Sequence, residues 1–289
     1  MVAPGEKASQ ITLAAGGAFA PAATIPWKVS AASEGSRLRQ FWDARYREVS
    51  LAEAGIAGLG PAYTRLLYRA KQQAYQRALA RIEAGDAPRI LDAGCGPGFF
   101  AGVALDRFPG AAYVGVDISS RAIARLVALE PRCSWRCADF ADPAFDAGEG
   151  FDLVQSIEVL HLIVEDAVHR QALLNLARAL KPGGSLILTD VLPERRFTVA
   201  DYIVFRARAD YQRTISELGL EWIEVYPMYY WIPDRGPTVR PLRRLFGRLP
   251  PSAVFALDRA LLRLRVPQLG ASHDSRMKMM VLRRAERRG

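Results

Sequence analysis

One stretch, Ile90-Leu91-Asp92-Ala93-Gly94-Cys95-Gly96-Pro97-Gly98, constrains the fold of this chain more than any other. An apolar run ends in an acid, glycines follow at alternate positions, and an apolar segment opens at Phe99. That order predicts a strand, a tight loop and the start of a helix. Glycines let the loop turn sharply and let a ligand approach the backbone closely. The helix start beyond them offers free N–H groups. The spacing is G-x-G-x-G, whereas a dinucleotide-binding loop carries G-x-G-x-x-G to seat a pyrophosphate. Asp92 puts a carboxylate beside the loop, which suits a ligand with positive charge.

From about residue 85 the chain alternates strand, loop and helix. Strands are predicted at Arg89–Asp92, Ala112–Asp117, Ser134–Ala138, Phe151–Ile157 and Ser185–Asp190, with a clear helix at Glu165–Leu180 closed by Lys181-Pro182-Gly183-Gly184. Alternation of this kind makes a doubly wound α/β sheet with helices on both faces. A helix is predicted over Val199–Leu218, a strand over Glu221–Ile232 and a last strand over Met277–Leu282. Upstream, Leu38, Phe41 and Trp42 fall at helical spacing, and Tyr63–Ile82 continues that pattern. The chain therefore divides into a flexible leader (1–33), an N-terminal helical cap (34–84) and a main domain (85–289) with a lid-like helical insert at 233–272.

The glycine loop resembles the first motif of the class I S-adenosylmethionine (SAM) dependent methyltransferases, in particular the small-molecule and natural-product type. The resemblance extends through five motifs in the family's order over roughly residues 88–191. It implies a seven-stranded, mostly parallel sheet in the order 3-2-1-4-5-7-6, with SAM as cofactor and S-adenosylhomocysteine (SAH) as product. On this reading Asp92, Gly94, Cys95, Gly96 and Gly98 form the cofactor loop. Asp117 meets the ribose hydroxyls, Ile118 packs on the adenine, and Asp139 with Phe140 meets the adenine edge. Ser156 and Ile157 end the fourth strand facing the transferable methyl. Phe41-Trp42-Asp43 with Tyr46 is similar to an aromatic helix folded over the cofactor, so Tyr46 either reaches the methionine end or packs in the core.

Methyl transfer needs alignment of the acceptor and exclusion of water, and needs a base only when the nucleophile arrives protonated. His161, just after the fourth strand, is the first candidate base. Glu158 is a second, able instead to hold a substrate ammonium, and His273 before the last strand is a third. Tyr229, Tyr230 and Trp231 are candidates for the substrate pocket, since aromatic faces stack on planar groups or attract cations.

Charge is unevenly spread. The chain carries 39 basic and 30 acidic residues; positions 195–289 hold 19 and 9 of them, so the excess lies in the last third. The insert contributes eight arginines against Asp234 and Asp258. Its apolar face flanked by arginines can cap a pocket, meet an anionic headgroup or form a homodimer surface. A hydrophobic or aromatic small molecule is the expected acceptor, with a phosphate or carboxylate among the groups it can carry, in secondary metabolism. Nucleic acid is not expected, because the fourth motif reads Gln155-Ser156-Ile157-Glu158 and lacks the Asn/Asp-Pro-Pro-Tyr/Phe pattern. An RNA methyltransferase and a non-catalytic SAM-binding partner protein are the alternatives. Three cysteines, Cys95, Cys133 and Cys137, and three scattered histidines make neither a disulfide framework nor a metal site. No apolar run reaches the length of a transmembrane helix, so a cytoplasmic protein is expected, with peripheral membrane contact left open.

Overall fold

The computed structural model describes residues 31–46, 60–200, 202–229, 250–264 and 276–286. Two helices lead, α1 (Ala31–Arg45) and α2 (Gly60–Leu79). The sheet then builds through β1 (Arg89–Ala93), α3 (Phe99–Arg107), β2 (Ala112–Asp117), α4 (Ser120–Leu129), β3 (Ser134–Cys137) and β4 (Phe151–Ser156). A single 3-10 turn at Leu160–Leu162 precedes α5 (Asp166–Ala179) and β5 (Leu180–Asp190). After these come the hairpin β6 (Phe197–Ala200) and β7 (Ile203–Phe205), then α6 (Arg208–Glu217), β8 (Leu220–Pro227), α7 (Pro251–Arg263) and β9 (Lys278–Arg284).

Seven strands form the main sheet in the order β3-β2-β1-β4-β5-β9-β8. The strands from β3 to β5 pair in parallel, and β9 runs antiparallel between β5 and β8. This is the order 3-2-1-4-5-7-6 expected from the sequence, with β8 and β9 as sixth and seventh strands. Both faces are covered, so the strands are nearly continuous apolar runs. Alternate side chains supply the two layers. Ile90, Leu153, Ile187 and Met279 pack with Tyr75, Leu79 and Phe99 on one face. Leu91, Val154, Leu186, Leu188 and Met280 pack with Leu173, Leu176, Tyr211 and Ile215 on the other.

The sequence expectations fail in three places. Val199–Leu218 is not one helix: Thr198 and Val204 pair in the β6–β7 hairpin, and the helix starts only at Arg208. The β-branched and aromatic content of Val199, Ile203, Val204 and Phe205 explains the hairpin. Lys181–Gly184 does not sit outside the fifth strand but forms its irregular start, where the register shifts opposite Phe151–Leu153. The strand predicted over Glu221–Ile232 is observed over Leu220–Pro227, and its last predicted residues lie outside the described ones, as does nearly all of the leader. Within the insert, α7 is helical and packs against α2.

Strand order reverses direction at β1, whose neighbours are β2 and β4. A crevice outside the carboxyl ends of strands at such a switch point is where open α/β sheets bind ligands.

Candidate active site

The loop after β1 turns through Gly94, Gly96 and Gly98, at φ of 84°, 51° and 82°. A Cβ on Gly94 would lie 2.4 Å from Val159 Cγ2, and one on Gly96 would lie 3.1 Å from the Tyr46 hydroxyl. The loop thus fits between the segment after β4 and the end of α1 only as glycine.

Asp117, at the end of β2, is 8 % exposed. Its Oδ2 accepts the Gly96 N–H at 2.8 Å and its Oδ1 accepts the Ser119 N–H at 2.8 Å. Burial pushes its carboxyl up to about 6, against those hydrogen bonds. Beyond β3, Asp139 Oδ1 accepts the Ala141 N–H at 2.9 Å, and burial raises its carboxyl as well.

Helix α1 lies over this end. Asp43 accepts the Ser119 hydroxyl at 2.7 Å, the Ser120 hydroxyl at 3.1 Å and the Arg121 N–H at 3.2 Å. Trp42 stacks on Tyr46 with centroids 5.3 Å apart. Tyr46 itself is buried.

At the other end, Glu158 follows β4 at φ 61°, unusual for a residue with a side chain. Its N–H donates to Thr189 Oγ1 at 2.6 Å, its Oε2 pairs with the Lys71 ammonium, and its Oε1 accepts the Tyr229 hydroxyl at 3.0 Å. Lys71 comes from α2 and its ammonium lies 4.4 Å from the centre of the Tyr68 ring. Burial opposes the charge on both partners, but each holds the other ionised: the Lys71 ammonium is raised and the Glu158 carboxyl lowered. A turn further along α2, the Tyr75 hydroxyl donates to Gln155, whose amide lies 3.4 Å from the Tyr113 hydroxyl.

These ends meet in one open cleft of about 940 Å³. Of the predicted cofactor residues, Tyr46, Gly94, Cys95, Gly96, Asp117, Ile118, Asp139, Phe140 and Ile157 line it. Asp92, Gly98 and Ser156 do not. Asp92 departs from the expectation that its carboxylate faces the ligand. It accepts the Tyr113 hydroxyl at 2.6 Å inside the sheet, where burial raises it to about 6. Ser156 is wholly buried and its hydroxyl has no partner among the described residues.

Among the catalytic candidates, Glu158 lines the cleft and His161 does not. His161 is buried and stacked on Phe205 at 5.3 Å, and burial lowers it to about 4, so the imidazole is neutral. Its Nδ1 has no partner among the described residues. Tyr229 reaches the site through Glu158. Tyr230, Trp231 and His273 lie outside the described residues. Sequence reasoning missed Lys71, Tyr68, Phe99 and Phe100. The signal for Lys71 was a lysine inside the apolar stripe Leu67, Tyr68, Ala74, Tyr75, Ala78 of α2, all buried.

Residues 90–184 match the family model of a methyltransferase domain. The chain is 31 % identical to a trans-aconitate 2-methyltransferase of Azoarcus sp. (strain BH72), over 41 % of this chain and 45 % of that protein. It is 28 % identical to the methyltransferase GfsG of Streptomyces halstedii, over 61 % of this chain and 68 % of that protein. The chain thus spans less than half the length of the first curated relatives it matches. A solved geranyl diphosphate methyltransferase, in complex with geranyl diphosphate and sinefungin, superposes with a TM-score of 0.57 at 17 % identity. That match covers 87 % of this chain and 100 % of the other, and carries the fold.

The cleft fits SAM. It offers a carboxylate with two oxygens at Asp117, apolar Ile118 and Phe140 beside the acid Asp139, and a loop open to close approach at Gly94 and Gly96. Its described wall carries three carboxylates and no lysine, arginine or histidine, in keeping with a sulfonium and an ammonium.

Proposed function

We propose that this chain, which carries a class I methyltransferase domain, transfers a methyl group from SAM to a small apolar acceptor in secondary metabolism. The observation that carries this reading is the convergence of Asp117, Asp139, the glycine loop and Glu158 on one cleft at the switch point of the sheet. Asp117 would hold the ribose hydroxyls, Ile118 and Phe140 the adenine, and Asp139 its amino edge. The hydroxyls of Tyr46 and Tyr68 are the polar groups available to the methionine end.

When bound, SAM supplies a methyl group already activated on sulfur. The residues of this chain then have three tasks: to fix the acceptor in line, to exclude water and to receive any proton the acceptor gives up. Tyr68, Phe99, Phe100, Ile157 and Leu162 supply a largely apolar wall toward Glu158, which excludes water and favours an apolar acceptor. Helix α1 covers the adenosine end through Asp43. The cap (34–84) and the insert (233–272) together close the acceptor end, a reading supported by the packing of α7 on α2. The trans-aconitate 2-methyltransferase named above acts on a small molecule by its name, which supports an acceptor of that kind.

Transfer from methyl-labelled SAM into host extract, separated into organic-soluble small molecules, nucleic acid and protein, tests the reading. Label in the organic fraction supports it. Label in nucleic acid or protein reassigns the basic last third of the chain as a docking surface.

A further inference from the structure

The acceptor end of the cleft carries a charged pair whose two members are exposed very differently. The Lys71 side chain is 2 % exposed and that of Glu158 is 21 % exposed. Glu158 lines the cleft while Lys71 stands behind it on α2. An incoming molecule therefore meets the negative end of the pair. Three further groups set that carboxylate in place. Tyr229 donates to Oε1, Thr189 takes the backbone N–H, and the Tyr68 ring lies against the ammonium of Lys71. A carboxylate oxygen accepts more than one hydrogen bond, so neither Glu158 oxygen is used up by Lys71 or Tyr229.

Resting on the methyltransferase reading, we propose that Glu158, held by Lys71 and Tyr229, determines acceptor specificity by charge: it accepts a hydrogen bond from an acceptor hydroxyl or ammonium and turns away acceptors bearing a carboxylate or phosphate at that end. The sequence admits an anionic acceptor because the last third of the chain is basic. The described wall of the cleft holds Asp117, Asp139 and Glu158 and no lysine, arginine or histidine, and Lys71 pairs with Glu158 only from behind that wall. Glu158 touches the acceptor directly. Lys71 and Tyr229 act through it as positioning residues. Holding an unpartnered ammonium in the apolar interior is costly, and that links the two roles. Glu158 keeps Lys71 charged, and Lys71 keeps Glu158 from leaving the wall.

Two probes of nearly equal shape and opposite charge, benzylamine and benzoate, test this by calorimetric titration into the full chain saturated with SAH. Titration of SAH itself comes first, and absence of SAH binding would sink the methyltransferase reading rather than this one. With SAH bound, the wild-type protein should prefer benzylamine to benzoate by at least roughly tenfold, given charges within a few ångströms in a partly desolvated site. Glu158→Gln removes the anion and, with it, the partner that keeps the buried Lys71 charged, so the preference should fall to near parity. Lys71→Met/Glu158→Gln removes both charges and should level the two probes as well. A merely structural pair would not produce that levelling. Equal behaviour of the probes toward wild type, whether both bind or neither does, overturns the proposal. So does a preference that Glu158→Gln leaves unchanged.

Discussion

Asp43 and Ser119 lie 76 residues apart in the chain, and the Ser119 hydroxyl donates to Asp43 Oδ1 across 2.7 Å. Ser119 also caps α4, its Oγ accepting the Ala122 N–H at 3.2 Å, and its own N–H is taken by Asp117. One serine therefore ties the covering helix, the helix after β2 and the acid that ends β2 into a single unit. Asp43→Ala removes three acceptor contacts to a charged group, together worth a few kcal/mol at most. SAH affinity should fall about tenfold by calorimetry. Unchanged affinity would mean that α1 does not hold the cofactor end.

Gly94→Ala places a methyl 2.4 Å from Val159 Cγ2 at a backbone φ of 84°. Two costs arise, a clash and a left-handed conformation, together about 2–4 kcal/mol. Combining it with Val159→Ala should recover part of the lost stability, because only the clash is relieved. Full recovery in denaturant titrations would show that the backbone conformation carries no cost.

His169 is buried, with Nε2 3.2 Å from the Tyr211 hydroxyl, which donates its proton to Asp190 at 2.6 Å. Nε2 must then be the donor to Tyr211. Burial lowers His169 to about 3, so the native state binds fewer protons than the unfolded chain between that value and the ordinary histidine range near 6.5. Its contribution to stability is complete above about 6.5 and is lost as pH falls. Between pH 7 and pH 5, wild type should lose about 2 kcal/mol more unfolding free energy than His169→Asn. Asp190, which burial raises to about 6, shifts stability the opposite way in the same window, and the comparison of the two proteins removes its share. Parallel curves for the two proteins would contradict a neutral, buried His169.

Tyr75→Phe leaves the wholly buried Gln155 without its hydroxyl donor and should cost about 1–2 kcal/mol by chemical denaturation. A neutral effect would mean that α2 is not fastened to the sheet through this contact.

What the sequence made legible was local and periodic. The glycine loop and Asp117 are read from neighbours in the chain, and each falls where its pattern places it, after β1 and at the end of β2. The failures share a cause in contacts between distant segments. Asp92 is drawn into the sheet by Tyr113, 21 residues on, and no spacing rule reveals that partner. Lys71 and Glu158 are 87 residues apart, and Lys71 occupies a stripe that a periodicity argument fills with apolar residues. The β6–β7 hairpin was read as helix because a short run of β-branched and aromatic residues precedes a true helical pattern without a breaker. Tertiary packing of Phe205 on His161 decides that segment.

Whether Asp117 anchors a SAM site at the end of β2 is decided by titrating SAH into wild type and Asp117→Ala. Wild type should bind one SAH per chain, and the variant should lose at least about a hundredfold in affinity while still melting cooperatively. Wild type that fails to bind SAH, or a folded variant that binds it equally well, would mean that Asp117 anchors no SAM site.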